Sequence, residues 1–150
     1  MANTYSQIYL HFVFATKPIP ASYIKEEDRE IVEKYIAGII SNNHCKLFAI
    51  YCNPDHTHLL VSIRPTTSIC GIIQTIKANS SRFIHQHFRN PHFEWQDGYG
   101  VFSCSPRSKE SVCRYILNQP NHHRRRSFRN ECISMLHRAG IHYNEDFLFL

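Results

Sequence analysis

The sequence predicts an α+β fold: a ferredoxin-like or RRM-like antiparallel sheet of four strands with helices on one face, followed by a further helix and a C-terminal helix. Three observations predict it. Apolar residues alternate between strand-like and helix-like spacing in the order strand, helix, strand, strand, helix, strand, helix. The two middle strands are separated only by Asn53-Pro54-Asp55, a turn sequence that makes them a hairpin. The 150 residues, 43% hydrophobic and 19% charged, suffice for one core, so a single domain over 1–150 is expected.

The elements follow in order. Residues 5–15, YSQIYLHFVFA, are aromatic and β-branched with imperfect period-two alternation, and read as a strand. KPIPAS, 17–22, is a proline-bearing loop. From 25 to 43, Ile31, Val32, Tyr35, Ile36, Ile39 and Ile40 form one apolar face of a helix that ends at Asn42-Asn43. KLFAIYC (46–52) and HTHLLVSI (56–63) are the hairpin strands. Ser68 begins a second helix, whose buried side is marked by Ile69, Ile72, Ile73, Ile76, Phe83 and Ile84, ending near His87. YGVFSCS, 99–105, is the fourth strand. Pro106 or Ser108 opens a third helix, since proline fits the first turn and serine caps it. It is expected to run to Gln119, where Pro120 stops it. The basic remainder is read as helical again over 127–139. No internal repeat or low-complexity tract interrupts the chain.

Composition bounds the function. Net charge is +5 with 11 further histidines, and the pI is about 9.0, which favours an anionic partner such as nucleic acid or a membrane surface. No apolar run approaches the roughly 20 residues that span a bilayer. The N-terminus lacks a basic leader region, so no signal peptide is expected. The six cysteines are irregularly spaced without a CxxC, which fits reduced thiols and a cytoplasmic protein.

Two patterns carry chemistry. His56 and His58 lie two apart on one strand, so both point to one face with Cα atoms about 6.6 Å apart and can converge on a cation. That face also carries Leu60, so the imidazoles need partners if they are buried. On the third helix, Tyr115 and Gln119 are four apart and share a face, with Val112, Ile116 and Leu117 available for packing. A phenol attacks poorly at neutral pH unless its oxyanion is stabilised or its electrophile activated.

The ordered motifs PDHTHLLV, FEWQDGYGVFSCS, YILNQ, HHRRRSF and GIHYNEDFLF resemble the small bacterial insertion-sequence transposases of the single-tyrosine HUH family, over almost the whole chain. The resemblance implies a metal-dependent endonuclease and strand transferase acting on single-stranded DNA. Tyr115 would be the nucleophile, leaving a 5′-phosphotyrosine and a free 3′-OH. His56, His58 and Gln119 would hold the divalent metal, Mg²⁺ or Mn²⁺. The partners implied are hairpin-bearing element ends and a second copy of the chain, whose catalytic helix can serve its partner's histidines. Asp55 is a candidate for orienting an imidazole from outside the metal shell, with a turn-forming role as the equal alternative. Two positions depart from the family pattern: Thr57 replaces a bulky hydrophobe, and Pro120 follows the glutamine, so Gln119 is expected at a frayed helix end.

Candidate DNA contacts are the basic run His122, His123, Arg124, Arg125 and Arg126, together with Lys77 and Arg82 on the second helix. Phe93, Trp95 and Tyr99 are aromatics that could stack on bases, although core packing suits each better. Three other readings exist: a non-catalytic RRM-like nucleic-acid module, a domesticated relative of the transposases, and a zinc protein using Cys52, His56 and His58. The first calls for an RNP-like aromatic run, and none is present. The last lacks an evident fourth ligand.

Overall fold

A computed structural model describes residues 3–148. Phe149, the last residue of the GIHYNEDFLF motif, lies outside them, as do Met1, Ala2 and Leu150. The elements are β1 (Ile8–Ala15), α1 (Arg29–Asn42), β2 (Lys46–Cys52), β3 (His56–Ile63), α2 (Ile69–His87), β4 (Gly100–Cys104), α3 (Lys109–Leu117), α4 (Gln119–His123) and α5 (Phe128–Arg138). The sheet has the order β2-β3-β1-β4 and every neighbouring pair is antiparallel. This is the expected four-stranded ferredoxin-like arrangement.

Both sheet faces are covered, and alternation decides what each receives. Leu10, Phe12 and Phe14 of β1 and Leu59, Val61 and Ile63 of β3 point to one side. There they meet Val32, Ile36, Ile39 and Ile40 of α1 and Ile72, Ile73, Ile76 and Ile84 of α2. Phe93 and Trp95 belong to this core, and the Trp95 indole N–H donates to Ser80 Oγ at 3.0 Å, so these aromatics pack inward. The other side carries Tyr9, Leu60 and Ala49, onto which α3 lays Ile116, Val112 and Tyr115. The first two helices thus share one face as expected, and the third takes the opposite face, where the histidines are.

Boundaries shift where local rules meet tertiary pairing. β1 starts at Ile8 rather than Tyr5, because the β3 ladder begins at the Ile8–Ile63 pair and Tyr5 is 91% exposed. A short 3₁₀ turn, Glu26–Asp28, precedes α1. The largest difference is at Pro120. The third helix ends at Leu117, and Asn118 (φ −99°, ψ 19°) is the junction from which a new short helix starts at Gln119. A proline inside a continued helix would clash with the carbonyl four residues back, whereas the first turn of a new helix needs no amide hydrogen there. Gln119 is therefore the first residue of α4 and fully buried, not a frayed end.

Candidate functional site

β3 runs between β1 and β2, so its side chains are buried on both faces. His56 and His58 are 0% exposed on the α3 side, their ring centroids 5.1 Å apart. Thr57 points to the opposite side, as alternation requires. Each imidazole is held at its Nδ1. His56 Nδ1 lies 2.6 Å from Asp55 Oδ1, and His58 Nδ1 lies 2.9 Å from His11 Nε2. The Asp55 carboxylate is thus hydrogen-bonded to the His56 ring. With Nδ1 engaged, Nε2 of both rings faces the interior of the site.

The interior holds a carboxylate. Glu131, 2% exposed on α5, places Oε1 2.9 Å from His58 Nε2, 3.4 Å from His56 Nε2 and 3.5 Å from His123 Nε2. Ser127 caps α5 by accepting from the Asn130 amide at 3.2 Å, and Phe128 stacks on His56 at 4.0 Å, which together fix where the helix begins. Glu131 follows one turn on. The other carboxylate oxygen, Oε2, accepts a hydrogen bond from the Tyr115 hydroxyl. The Tyr115 ring stands edge-on to His58, with centroids 5.8 Å apart. All of these groups belong to one chain.

Gln119 sits at the rim of this cluster. Its Oε1 accepts from His123 Nε2 at 2.8 Å and from the Asn53 amide at 3.2 Å. Its Nε2 is 3.4 Å from Glu131 Oε2. Asn53 Nδ2 also lies 3.1 Å from His56 Nε2. An amide N–H aimed at Nε2, with a carboxylate at Nδ1, assigns His56 the tautomer protonated on Nδ1, which leaves a lone pair at Nε2.

The electrostatics follow from crowding. Burial alone would raise the Glu131 carboxyl, but the surrounding imidazoles of His123, His56 and His58 outweigh it and hold it well below the usual carboxylate range. The Tyr115 phenol is pushed above its ordinary value by burial and by the adjacent Glu131 carboxylate. His58 is lowered, chiefly by burial; His56 is raised, because Asp55 and Glu131 overcome the same burial. Burial and the neighbouring His58 take His11 down to about 3, so it is a neutral imidazole.

One ligand atom from each of His56, His58, His123 and Glu131 lies within 4.8 Å of the others. Imidazole nitrogens backed at Nδ1, with a carboxylate and an amide oxygen alongside, form a donor set that suits a divalent cation. The zinc reading based on Cys52 does not survive: Cys52 is buried in the α1–α2 core, on the other side of the sheet from the histidines. The RRM-like reading requires that sheet face to be open, and α3 covers it.

The basic run divides. His123 joins the cluster, and the His122 ring lies 4.6 Å from the Tyr115 ring. Arg125, Arg126 and Arg138 line a cleft of about 940 Å³ between β4, α3 and α5, which also contains Tyr115 and His11. Arg124 and Arg125 border a smaller depression beside Asn118 and Asn121. Lys77 and Arg82 lie on α2, the helix on the other side of the sheet. The Lys77 ammonium donates to the Gln96 carbonyl at 2.8 Å and to that of Gly98, while Arg82 is exposed.

Sequence reasoning missed Glu131, His11 and Asn53, and it assigned His123 to DNA alone. Glu131 did carry a signal: it is the sole acidic residue between Glu110 and Glu145, in an otherwise basic stretch. His11 carried another, as a polar residue within the apolar strand IYLHFVFA.

Known proteins share the family and the fold of this chain. Residues 4–119 match the sequence profile of a family described as IS200-like transposases. No match was found among curated proteins. A crystal structure of a transposase candidate from Deinococcus radiodurans R1 superposes with a TM-score of 0.62 at 24% identity, covering 79% of this chain and 95% of that one. A REP-associated tyrosine transposase bound to a REP hairpin superposes with a TM-score of 0.61 at 13% identity, covering 82% of this chain and 73% of that one. At these identities the likeness to both structures is one of fold.

Proposed function

Because the chain belongs to the IS200-like transposase family, we propose that it cleaves and rejoins single-stranded DNA through a 5′-phosphotyrosine on Tyr115, with a divalent metal. One observation carries the reading. Within one chain, the Tyr115 hydroxyl meets a carboxylate whose other oxygen lies against the inward nitrogens of His58, His56 and His123. Nucleophile and ligand set therefore share a single centre.

His56 and His58 would hold Mg²⁺ or Mn²⁺ through Nε2, with Gln119 as the further ligand the resemblance implies and Glu131 Oε1 as an added carboxylate. The bound cation supplies charge neutralisation at the phosphate and at its leaving 3′ oxygen. The protein's own groups do the rest. Glu131 Oε2 aims the Tyr115 hydroxyl, and Asp55 keeps His56 in the ligating tautomer. As the phenol oxygen gives up its proton toward Glu131 Oε2 and bonds to phosphorus, the phosphorus–O3′ bond breaks, and the 3′ oxygen takes up a proton and leaves as the 3′-OH strand. The phosphotyrosine preserves the energy of the broken diester, so a 3′-OH can later reverse the step without a nucleotide cofactor.

Arg125, Arg126 and Arg138 make the cleft leading to Tyr115 electropositive, as a path for a phosphate backbone requires. The hairpin-bound neighbour supports DNA as the partner, and a bacterial cytoplasmic location accords with such a partner. Among the described residues no helix is long and apolar enough to cross a membrane. A homodimer is the expected assembly.

The test is incubation of the protein with single-stranded element-end oligonucleotides and Mg²⁺ or Mn²⁺. A covalent 5′-linked adduct is expected that disappears in Tyr115→Phe and is strongly reduced in His56→Ala. Adduct formation by Tyr115→Phe at the wild-type level would remove the nucleophile assignment.

A further inference from the structure

The two inward-facing histidines are backed by partners of different kind. His56 has a carboxylate, Asp55, on its own turn and half exposed. His58 has a second imidazole, His11, which is 6% exposed and comes from the neighbouring strand. The strand register explains the meeting. Val13 of β1 stands directly opposite His58, and His11, two residues earlier, shares its face and reaches the ring diagonally. The His11 and His58 centroids are 5.2 Å apart. Because β1 is paired on both sides, by β3 and by β4, the backbone that carries His11 is firmly held.

We infer that His11 is a positioning residue for the metal site: its Nε2 fixes the ring orientation and tautomer of His58, so that His58 Nε2 presents a lone pair to the cation. This deepens the metal-dependent reading above and rests on it. His58 is fully buried, so an Nδ1–H without a partner would carry a desolvation penalty, and the ring would gain nothing from holding one orientation. The choice of imidazole also has a reason. When His58 Nε2 carries a proton toward the Glu131 carboxylate, Nδ1 needs a donor. When Nε2 ligates a cation, Nδ1 carries the proton and needs an acceptor. A neutral imidazole serves both, whereas a carboxylate serves only the second and would add an anion beside Glu131.

The experiment titrates Mn²⁺ by electron paramagnetic resonance into the full-length protein and two variants, His11→Leu and His11→Gln, with thermal unfolding in a chelator as the check on folding. His11→Leu is expected to weaken Mn²⁺ binding about 10–100-fold, the range for a lost outer partner of a ligating histidine. His11→Gln, whose amide can accept or donate, should recover most of that loss. Nitrogen-15 spectra in Mg²⁺ should show His58 protonated at Nδ1 in the wild type and in His11→Gln, but not in His11→Leu. If His11→Leu does not fold, His11→Phe supplies a ring without nitrogens. Binding by the leucine or phenylalanine variant within about twofold of wild type would overturn the inference, as would equal weakening by leucine and glutamine, which would mean packing alone. A wild-type protein that binds no Mn²⁺ would instead overturn the metal site itself, and this inference with it.

Discussion

The two faces of the sheet are made from alternate residues of the same two central strands, yet they differ in kind. Toward α1 and α2, β1 and β3 present Leu10, Phe12, Phe14, Leu59, Val61 and Ile63, and isoleucines answer from the helices. Toward α3 and α5 the same strands present His11, His56 and His58, which are equally buried but have their nitrogens engaged by Asp55, Asn53, Glu131 and one another. The first face is held by non-directional burial, which tolerates reshaping of similar volume. The second depends on directional bonds whose loss leaves buried polar groups unpaired. Stability should therefore be concentrated on one side and chemistry on the other, and substitutions should separate them.

The largest separation is expected at the site. Tyr115→Phe removes the reacting oxygen and should abolish adduct formation to background, while guanidinium unfolding loses no more than about 1–3 kcal/mol, the cost of taking that donor from buried Glu131 Oε2. Phe12→Ala does the reverse. Deleting a fully buried ring from the dry face should cost about 3–5 kcal/mol in a denaturant titration. If the surviving folded fraction still forms adduct at the wild-type rate, the faces are independent; a matching loss of rate would couple them.

Glu131→Gln keeps the shape of the central side chain and removes its charge. A fall of about tenfold or more in Mn²⁺ affinity by calorimetry is expected, by the scale on which support of metal sites acts. Unchanged affinity would restrict Glu131 to aiming the tyrosine. A smaller effect distinguishes the arginines. Arg126→Ala, in the cleft, should weaken single-stranded DNA binding and lower the salt dependence of its logarithm by about one unit. Arg82→Ala, on the α2 side, should leave both unchanged. Equal losses would extend the DNA path around the protein. The smallest effect is expected at Pro120→Ala, about 0.4–1 kcal/mol of stability through the entropy of the unfolded chain. Gln119 should stay buried, because its amide is held by His123 and Asn53 rather than by the proline.

The sequence by itself determined the order of strands and helices, because periods of two and 3.6 are local consequences of backbone geometry. It also determined that His56 and His58 share a face, and the family resemblance tied them to Tyr115 and Gln119; the spacing put that second pair one turn apart on a single helix, whereas the helix breaks at Asn118 between them. Only the tertiary structure decided the rest. That α3 lies on the histidine side, that Glu131 reaches across 73 residues of chain to His58, and that His11 reaches across 47 all depend on which elements pack together. Such meetings leave no periodic trace, since each residue is chosen by a partner far away in sequence. The Gln119–Pro120 junction shows the limit in miniature. Local rules foretold a helix end at the proline, but whether the glutamine there would fray or turn inward was settled by the buried partners waiting for its amide.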